Sequence, residues 1–269
     1  MQDRHSANEQ SRPLRGVCVM VTRPANGPDP LAERLRMLGA EVVVQPAIRI
    51  APPDDWRPVD EALTRLQEYD WLVFSSANGV RYLFDRFRER RVGTAATQFP
   101  KLAAMGPGTA EELARYGRQA DLTPEQFRAE SLAGALASDA AGKRFLLARA
   151  SRGREVLAEQ LFVAGAVVEQ VVVYTSTDVE HPSAEAAALL RDGKIDWITV
   201  TSSAIARSLA RLFGEQLRRA KLASISPITS GVLRELGYES AAEAAEYTLA
   251  GLTAAIVAHQ RAVSSIPRR

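Results

Sequence analysis

Six short turns carry most of the chemistry this chain offers: Thr22-Arg23-Pro24, Ser75-Ser76-Ala77-Asn78-Gly79, Gly106-Pro107-Gly108-Thr109, Arg149-Ala150-Ser151-Arg152-Gly153, Thr201-Ser202-Ser203 and Ser226-Pro227-Ile228-Thr229. Hydroxyls, backbone amides at helix starts and guanidinium groups are all hydrogen-bond donors. Together they suit a ligand with several negative groups. Ser, Thr and Asn also cap helices whether or not a ligand comes, so one such turn alone says little. Six in corresponding positions favour an anion. The candidate binding residues are therefore Thr22, Arg23, Ser75, Ser76, Asn78, Gly79, Gly106, Thr109, Arg149, Ser151, Arg152, Ser202, Ser203 and Thr229.

Other chemistries lack their parts. No GxGxxG opens a helix, and no lysine follows a glycine run as in a P-loop; Gly106-Pro107-Gly108 is too short for either. His5, His181 and His259 have no Cys, His or acidic partner at metal-ligand spacing, so no metal is expected. The six turns hold neither a Ser/His/Asp arrangement nor paired carboxylates, which a hydrolase would need. A sugar-phosphate isomerase would place a Glu or His base in these loops, and none stands there. The pattern is that of a protein that holds and shapes an anion more than one that attacks it.

What positions these turns is a duplication. Gly16, Arg23, Gly27, Leu31, Ala32, Glu33, Leu35, Gly39 and Ala40 each recur 126 positions later, as do Asp70-Trp71, Ser76 and Phe87. Lys101-Leu102-Ala103, Pro107, Thr109, Leu113 and Gly117 recur at an offset of 120, and Leu132-Ala133-Gly134 returns as Leu249-Ala250-Gly251. A repeat this long makes two similar domains, not a solenoid. Within each copy, short apolar runs alternate with amphipathic segments. Strands are expected at Val17–Val21, Val42–Val44, Leu72–Phe74, Leu102–Met105, Arg144–Ala148, Val167–Val173, Ile198–Val200 and Ala223–Ile225. Such alternation implies an α/β fold with parallel sheets covered on both faces, and ligands beyond the carboxyl ends of the strands.

The copies are not expected to be simply in tandem. Ser138-Asp139-Ala140-Ala141-Gly142 between them is only a tight turn, whereas the breaker-rich stretches are Pro46–Pro58 and Thr175–Pro182. These fit two adjacent crossovers. The expected lobes are 14–50 with 178–262, discontinuous, and 54–174, inserted, with disordered tails at 1–13 and 263–269.

Composition adds bounds. The 269 residues are 46% hydrophobic and 25% charged, enough for two ordinary cores. A net charge of +2 gives no reason to expect nucleic acid or a membrane surface as partner. No stretch approaches the roughly 18 apolar residues of a membrane span, and the start of the chain lacks a signal-peptide pattern. The single cysteine, Cys18, lies in an apolar run and reads as a buried structural thiol; a reducing cytoplasm is expected.

Thr22-Arg23-Pro24, Phe74-Ser75-Ser76-Ala77-Asn78-Gly79-Val80, Met105-Gly106-Pro107-Gly108-Thr109-Ala110, Val173-Tyr174 and Thr201-Ser202-Ser203, in that order over about residues 15 to 260, resemble the motif series of uroporphyrinogen-III synthase. One departure is Ser226-Pro227-Ile228-Thr229-Ser230, where that family usually has Gly and Thr-Ala. The resemblance implies two flavodoxin-like lobes, duplicated and segment-swapped, joined by a two-stranded linker. It implies a cytoplasmic lyase of tetrapyrrole biosynthesis that closes hydroxymethylbilane, a small polycarboxylate, to uroporphyrinogen III with its terminal pyrrole inverted. It further implies no cofactor, a monomer, transient hand-off from hydroxymethylbilane synthase, and Tyr174 as the residue that assists departure of the hydroxyl. A non-catalytic two-lobed binding protein for a polycarboxylate or tetrapyrrole would share these loops.

Overall fold

The structure, a computed structural model, describes residues 12–24, 27–90 and 99–264. In chain order its first half contains β1 (Cys18–Val21), α1 (Pro30–Met37), β2 (Glu41–Val44), β3 (Ile48–Ala51), α2 (Arg57–Thr64), β4 (Trp71–Phe74), α3 (Ala77–Glu89), β5 (Lys101–Ala104), α4 (Pro107–Arg115) and α5 (Ala129–Ala137). The second half continues with β6 (Arg144–Ala150), α6 (Val156–Val163), β7 (Val167–Asp178), α7 (Ala184–Arg191), β8 (Trp197–Val200), α8 (Ser203–Phe213), β9 (Lys221–Ser224), α9 (Pro227–Glu235), β10 (Ser240–Glu243) and α10 (Leu249–Ser264). No described helix is long and apolar enough to cross a membrane.

These elements divide into two units. One comprises the described residues up to Arg49 together with those from Thr177 onward; the other runs Ile50–Ser176. The first unit holds a sheet in the order β10-β9-β8-β1-β2, and the order β3-β7-β6-β4-β5 belongs to the second, the division falling within β3 and near the end of β7. Pairings along β10-β9-β8-β1-β2 and along β7-β6-β4-β5 are parallel. Each sheet thus combines strands from both copies of the repeat, and the registers correspond: Trp71 lies opposite Phe145, and Trp197 opposite Val19.

The repeated Asp-Trp pair explains how the exchanged strands are fastened. Asp70 precedes β4 and its Oδ2 accepts the Arg144 N–H at 2.8 Å, while Asp196 precedes β8 and its Oδ2 accepts the Cys18 N–H at 2.7 Å. The carbonyls of the same two residues accept the N–H of Lys101 and of Lys221, each at 2.9 Å. One aspartate per unit therefore ties three strands together, two from its own copy and one from the other. The Arg144 N–H, with help from Lys143, holds the Asp70 carboxyl below its ordinary value. Because the folded pKa is lowered, this stabilisation is present above the unfolded value and is lost as pH falls through the folded one. Asp70→Ala is expected to cost about 1 kcal/mol near neutral pH, as a partly exposed hydrogen bond should, with a smaller difference in acid. Urea denaturation at both pH values checks this; an equal loss at both would remove the carboxylate from the explanation.

Helices cover the sheets as their apolar spacing requires. In the first unit α1 and α10 bury Leu31, Leu35, Leu252 and Ile256 against Val19, Val21 and Trp197. In the second, α5 and α6 bury Leu132, Leu136, Leu157 and Leu161 against Trp71, Val73, Phe145 and Leu147. Gly39 and Gly165, one from each copy, follow α1 and α6 with φ of +93° and +86°, a left-handed conformation suited to glycine at a helix end.

The structure departs from the sequence reading in several places. β3 lies within a stretch read as breaker-rich crossover, and β10 in one given no strand. β10 has only a single-bridge counterpart in the second unit, Ala103 to Leu122. Helix α10 continues through Val263 and Ser264, residues assigned to a disordered tail, because its helical hydrogen bonding extends past the last buried turn. Most of the remainder of both expected tails lies outside the described residues. Cys18 is partly exposed, not buried; partial burial, with Glu41 and Asp196 nearby, raises its thiol pKa.

Candidate active site

Four strands run directly into helices that begin at four of the six turns: β4 into α3, β5 into α4, β8 into α8 and β9 into α9. Ser76, Gly106, Ser202 and Ser226 sit at the N-caps in extended backbone. Three of the caps use a side chain: the Ser76 Oγ accepts the Gly79 N–H at 3.1 Å, the Ser202 Oγ that of Ile205 at 3.2 Å, and the Ser226 Oγ that of Thr229 at 3.3 Å. Gly106 cannot cap in this way. A Cβ there would lie 3.2 Å from that of Phe127, so a side chain at this position would require Phe127 to shift by a few tenths of an ångström. The first backbone bonds back to these caps come from Val80, Thr109 and Ala110, Ala206 and Ser230. The amides of Asn78, Gly108, Ala204 and Ile228 precede that ladder, at the positive ends of their helices.

In the second unit one constellation stands out. Tyr174, within β7, is 8% exposed, and its hydroxyl lies 3.0 Å from the Ser76 Oγ. Its ring stacks on Tyr82 of α3 with centroids 5.8 Å apart, and its carbonyl accepts the Ser151 N–H at 2.9 Å. Burial raises the phenol pKa; the Ser76 hydrogen bond works the other way and Tyr82 adds slightly to the rise. A neutral phenol able to donate one hydrogen bond is the result. Ser75 and Asn78 are partly exposed at the same turn, and Gly79 is buried where a Cβ would stand 3.1 Å from the Ala148 carbonyl oxygen. Nearby, the Ser151 Oγ accepts the Ser176 N–H at 3.1 Å, and the Arg152 Nε donates to the Ser176 Oγ at 3.2 Å. Thr109 is 7% exposed, which turns it into the unit and away from the turn's surface.

Several of the candidate residues bond within the fold. Arg23 donates from Nε to Asp29 Oδ2 at 3.1 Å, and Asp29 in turn caps α1 through the N–H groups of Leu31 and Ala32. Arg149 pairs with Glu155 at the N-cap of α6 and with Gln170 Oε1 at 2.8 Å; this pairing, Arg149 first, lowers the Glu155 pKa. Asp29 and Glu155 stand at the same 126 offset as the two arginines, so the pattern is one loop clamp used twice. A guanidinium already neutralised by its own carboxylate is a poor anchor for another. Thr22 is fully buried, and its hydroxyl donates to the Thr199 carbonyl, fastening the end of β1 to β8. Thr229 is 2% exposed and its hydroxyl meets Ser226 at 3.2 Å. Thr229→Ala is therefore expected to cost stability, roughly 0.5–1.5 kcal/mol, measured by urea denaturation; unchanged stability would return that hydroxyl to the surface. Of the first unit's candidates, Arg23, Ser202 and Ser203 are partly exposed.

The residues that sequence reasoning missed are Tyr82, Ser176 and the two carboxylates. Only the carboxylates left a legible signal, their shared offset from the arginines. Among the described residues no group of His, Cys, Asp and Glu gathers as a metal ion would require.

The family model of uroporphyrinogen-III synthase HemD matches residues 29–254. The chain belongs to the uroporphyrinogen-III synthase family. Among the family's curated members, the uroporphyrinogen-III synthase of Synechococcus elongatus is 35% identical over 254 residues, covering 91% of this chain and 96% of that one. That of Escherichia coli is 26% identical over 230 residues, 83% of this chain and 93% of its own. Two solved structures of the family share the fold. A mutant uroporphyrinogen III synthase from Thermus thermophilus aligns with a TM-score of 0.62 at 15% identity, over 91% of this chain and 99% of that one. The Helicobacter pylori protein gives 0.61 at 17%, over 90% and 99%.

Proposed function

We propose that this protein is a hydro-lyase that closes linear hydroxymethylbilane to uroporphyrinogen III, with loss of water and inversion of the terminal pyrrole. The observation that carries this reading is the family match over residues 29–254. The geometry that fits it is a buried neutral phenol beside a helix start, in a unit whose strand ends present amide and hydroxyl donors.

The substrate's own chemistry sets the task. Its terminal hydroxyl leaves because the adjacent pyrrole nitrogen supplies electrons, giving an azafulvene. Unassisted, the chain then closes head to tail into the wrong isomer. The productive route bonds the azafulvene carbon to the substituted carbon of the last ring, through a spirocyclic intermediate, and then rearranges. In that rearrangement the bond from the substituted carbon to its original methylene breaks and re-forms at the ring's other α-carbon, which gives up its proton; the net change is loss of water and one new carbon–carbon bond, and no oxidant or reductant is required. Tyr174 donates its proton to the departing hydroxyl, which leaves as water; the amide donors of the turns and the hydroxyls other than that of Ser76 hold the carboxylates. Positioning outweighs acid strength here, since the leaving group is already activated.

Because free hydroxymethylbilane closes to the wrong isomer, direct hand-off from hydroxymethylbilane synthase, in the cytoplasm and to a monomer, belongs to the same proposal. Incubation with freshly made hydroxymethylbilane separates an enzyme from a carrier: consumption faster than the blank, at protein well below substrate, is expected. Stoichiometric binding without turnover would leave a binding protein.

A further inference from the structure

Helix α3 grips Tyr174 at both ends. Ser76, its N-cap, meets the phenol oxygen, and Tyr82, a turn and a half later, lies under the ring. The Ser76 oxygen already accepts the Gly79 N–H, so the serine retains one proton to give and Tyr174 one to receive or keep. The 126-residue repeat supplies an internal comparison. Ser202 caps α8 just as Ser76 caps α3, but the positions matching Tyr174 and Tyr82 are Ile48 and Ser208. Ile48 is 7% exposed, and the fully buried Ser208 bonds the Ala47 carbonyl. A cap alone accounts for the serine in both units; the tyrosine pair exists in one.

We infer that Ser76 is a positioning residue for Tyr174: its hydroxyl takes the Gly79 N–H, donates to the phenol oxygen, and so leaves the phenol proton directed at the substrate's departing hydroxyl. The inference rests on the proposed acid role of Tyr174 and deepens it. A one-way chain of donors from the positive end of α3 through Ser76 polarises the phenol and makes it a better donor. The direction of the Tyr174 pKa agrees, since the Ser76 bond opposes the rise that burial imposes. With Ser76 occupied in this way, its contribution to holding a substrate carboxylate is small.

The test uses the full chain with isotope-labelled tyrosine Cζ, the Tyr174 resonance being assigned by its loss in Tyr174→Phe. In Ser76→Ala the resonance moves at neutral pH and its titration shifts to higher pH. Ser76→Thr, which keeps both hydroxyl and cap, restores it. Ser202→Ala, which removes the matching cap in the first unit, leaves it in place. In single-turnover closure of hydroxymethylbilane, Ser76→Ala slows the step about 3- to 10-fold, the effect of one lost hydrogen bond. Ser76→Ala added to Tyr174→Phe slows it no further. An unmoved Tyr174 resonance in Ser76→Ala overturns the positioning role whatever the rates do, and so does an equal movement in Ser202→Ala or a loss additive to that of Tyr174→Phe. An unaltered rate in Tyr174→Phe instead overturns the acid role, and the resonance test still decides whether Ser76 orients the phenol.

Discussion

Tyr174→Phe is expected to slow single-turnover ring closure by about 10- to 100-fold while the product remains isomer III. The variant removes one hydroxyl from a ring held by Tyr82 and by the backbone, so the fold around it should persist. A phenol with its pKa raised by burial stays protonated at neutral pH and can give its proton to a leaving hydroxyl. General acid assistance contributes on the order of 10²–10⁴-fold. The electron push from the pyrrole already supplies much of the driving force for departure, which places this case at or below the bottom of that range. Rapid quench with freshly made substrate measures the rate. An unchanged rate would end the acid role; release of isomer I would make Tyr174 a steering residue and overturn the division between acid and scaffold.

Phe145→Ala is expected to destabilise the protein by about 3–5 kcal/mol, the range for truncating a buried aromatic. Phe145 is fully buried on β6, in register with Trp71 on β4 and stacked on it at 6.3 Å with rings 7° from parallel. The two residues come from different copies of the repeat, so their contact fills the seam where the exchanged strands meet. Phe145→Leu keeps most of the volume and should cost less than about 1.5 kcal/mol. Denaturant unfolding measures both. A loss below about 1 kcal/mol for the alanine variant would mean that this seam is not tightly packed.

Most strands were legible because they are buried on both faces and read as short apolar runs, and the repeat offset repeated the evidence. The two omissions have distinct causes. Ile48–Ala51 is flanked by Pro46, Pro52 and Pro53, so local breakers masked a strand whose pairing with β7 is tertiary. Ser240–Glu243 has no apolar alternation, because as the edge of its sheet it is half in water. Helix ends were legible through Ser76, Ser202 and Ser226, whose preference for N-caps is a backbone property.

The site was less legible for a related reason. A serine, threonine or arginine at a strand end has the same spacing whether it faces a ligand or its own chain, and only the folded neighbours decide. Arg23 and Arg149 met Asp29 and Glu155, and Thr22 and Thr229 turned inward to Thr199 and Ser226. Tyr82 was invisible because an aromatic at helical spacing reads as ordinary core. The pairing of Ser76 with Tyr174 joins residues 98 apart, and no sequence pattern encodes it.

The central claim is that this chain directs closure to the inverted isomer. Freshly made hydroxymethylbilane is supplied at neutral pH, the products are oxidised to porphyrins, and the uroporphyrin isomers are separated against an enzyme-free blank. The account predicts that isomer III predominates with the protein and isomer I in its absence; isomer I alone in both would contradict it.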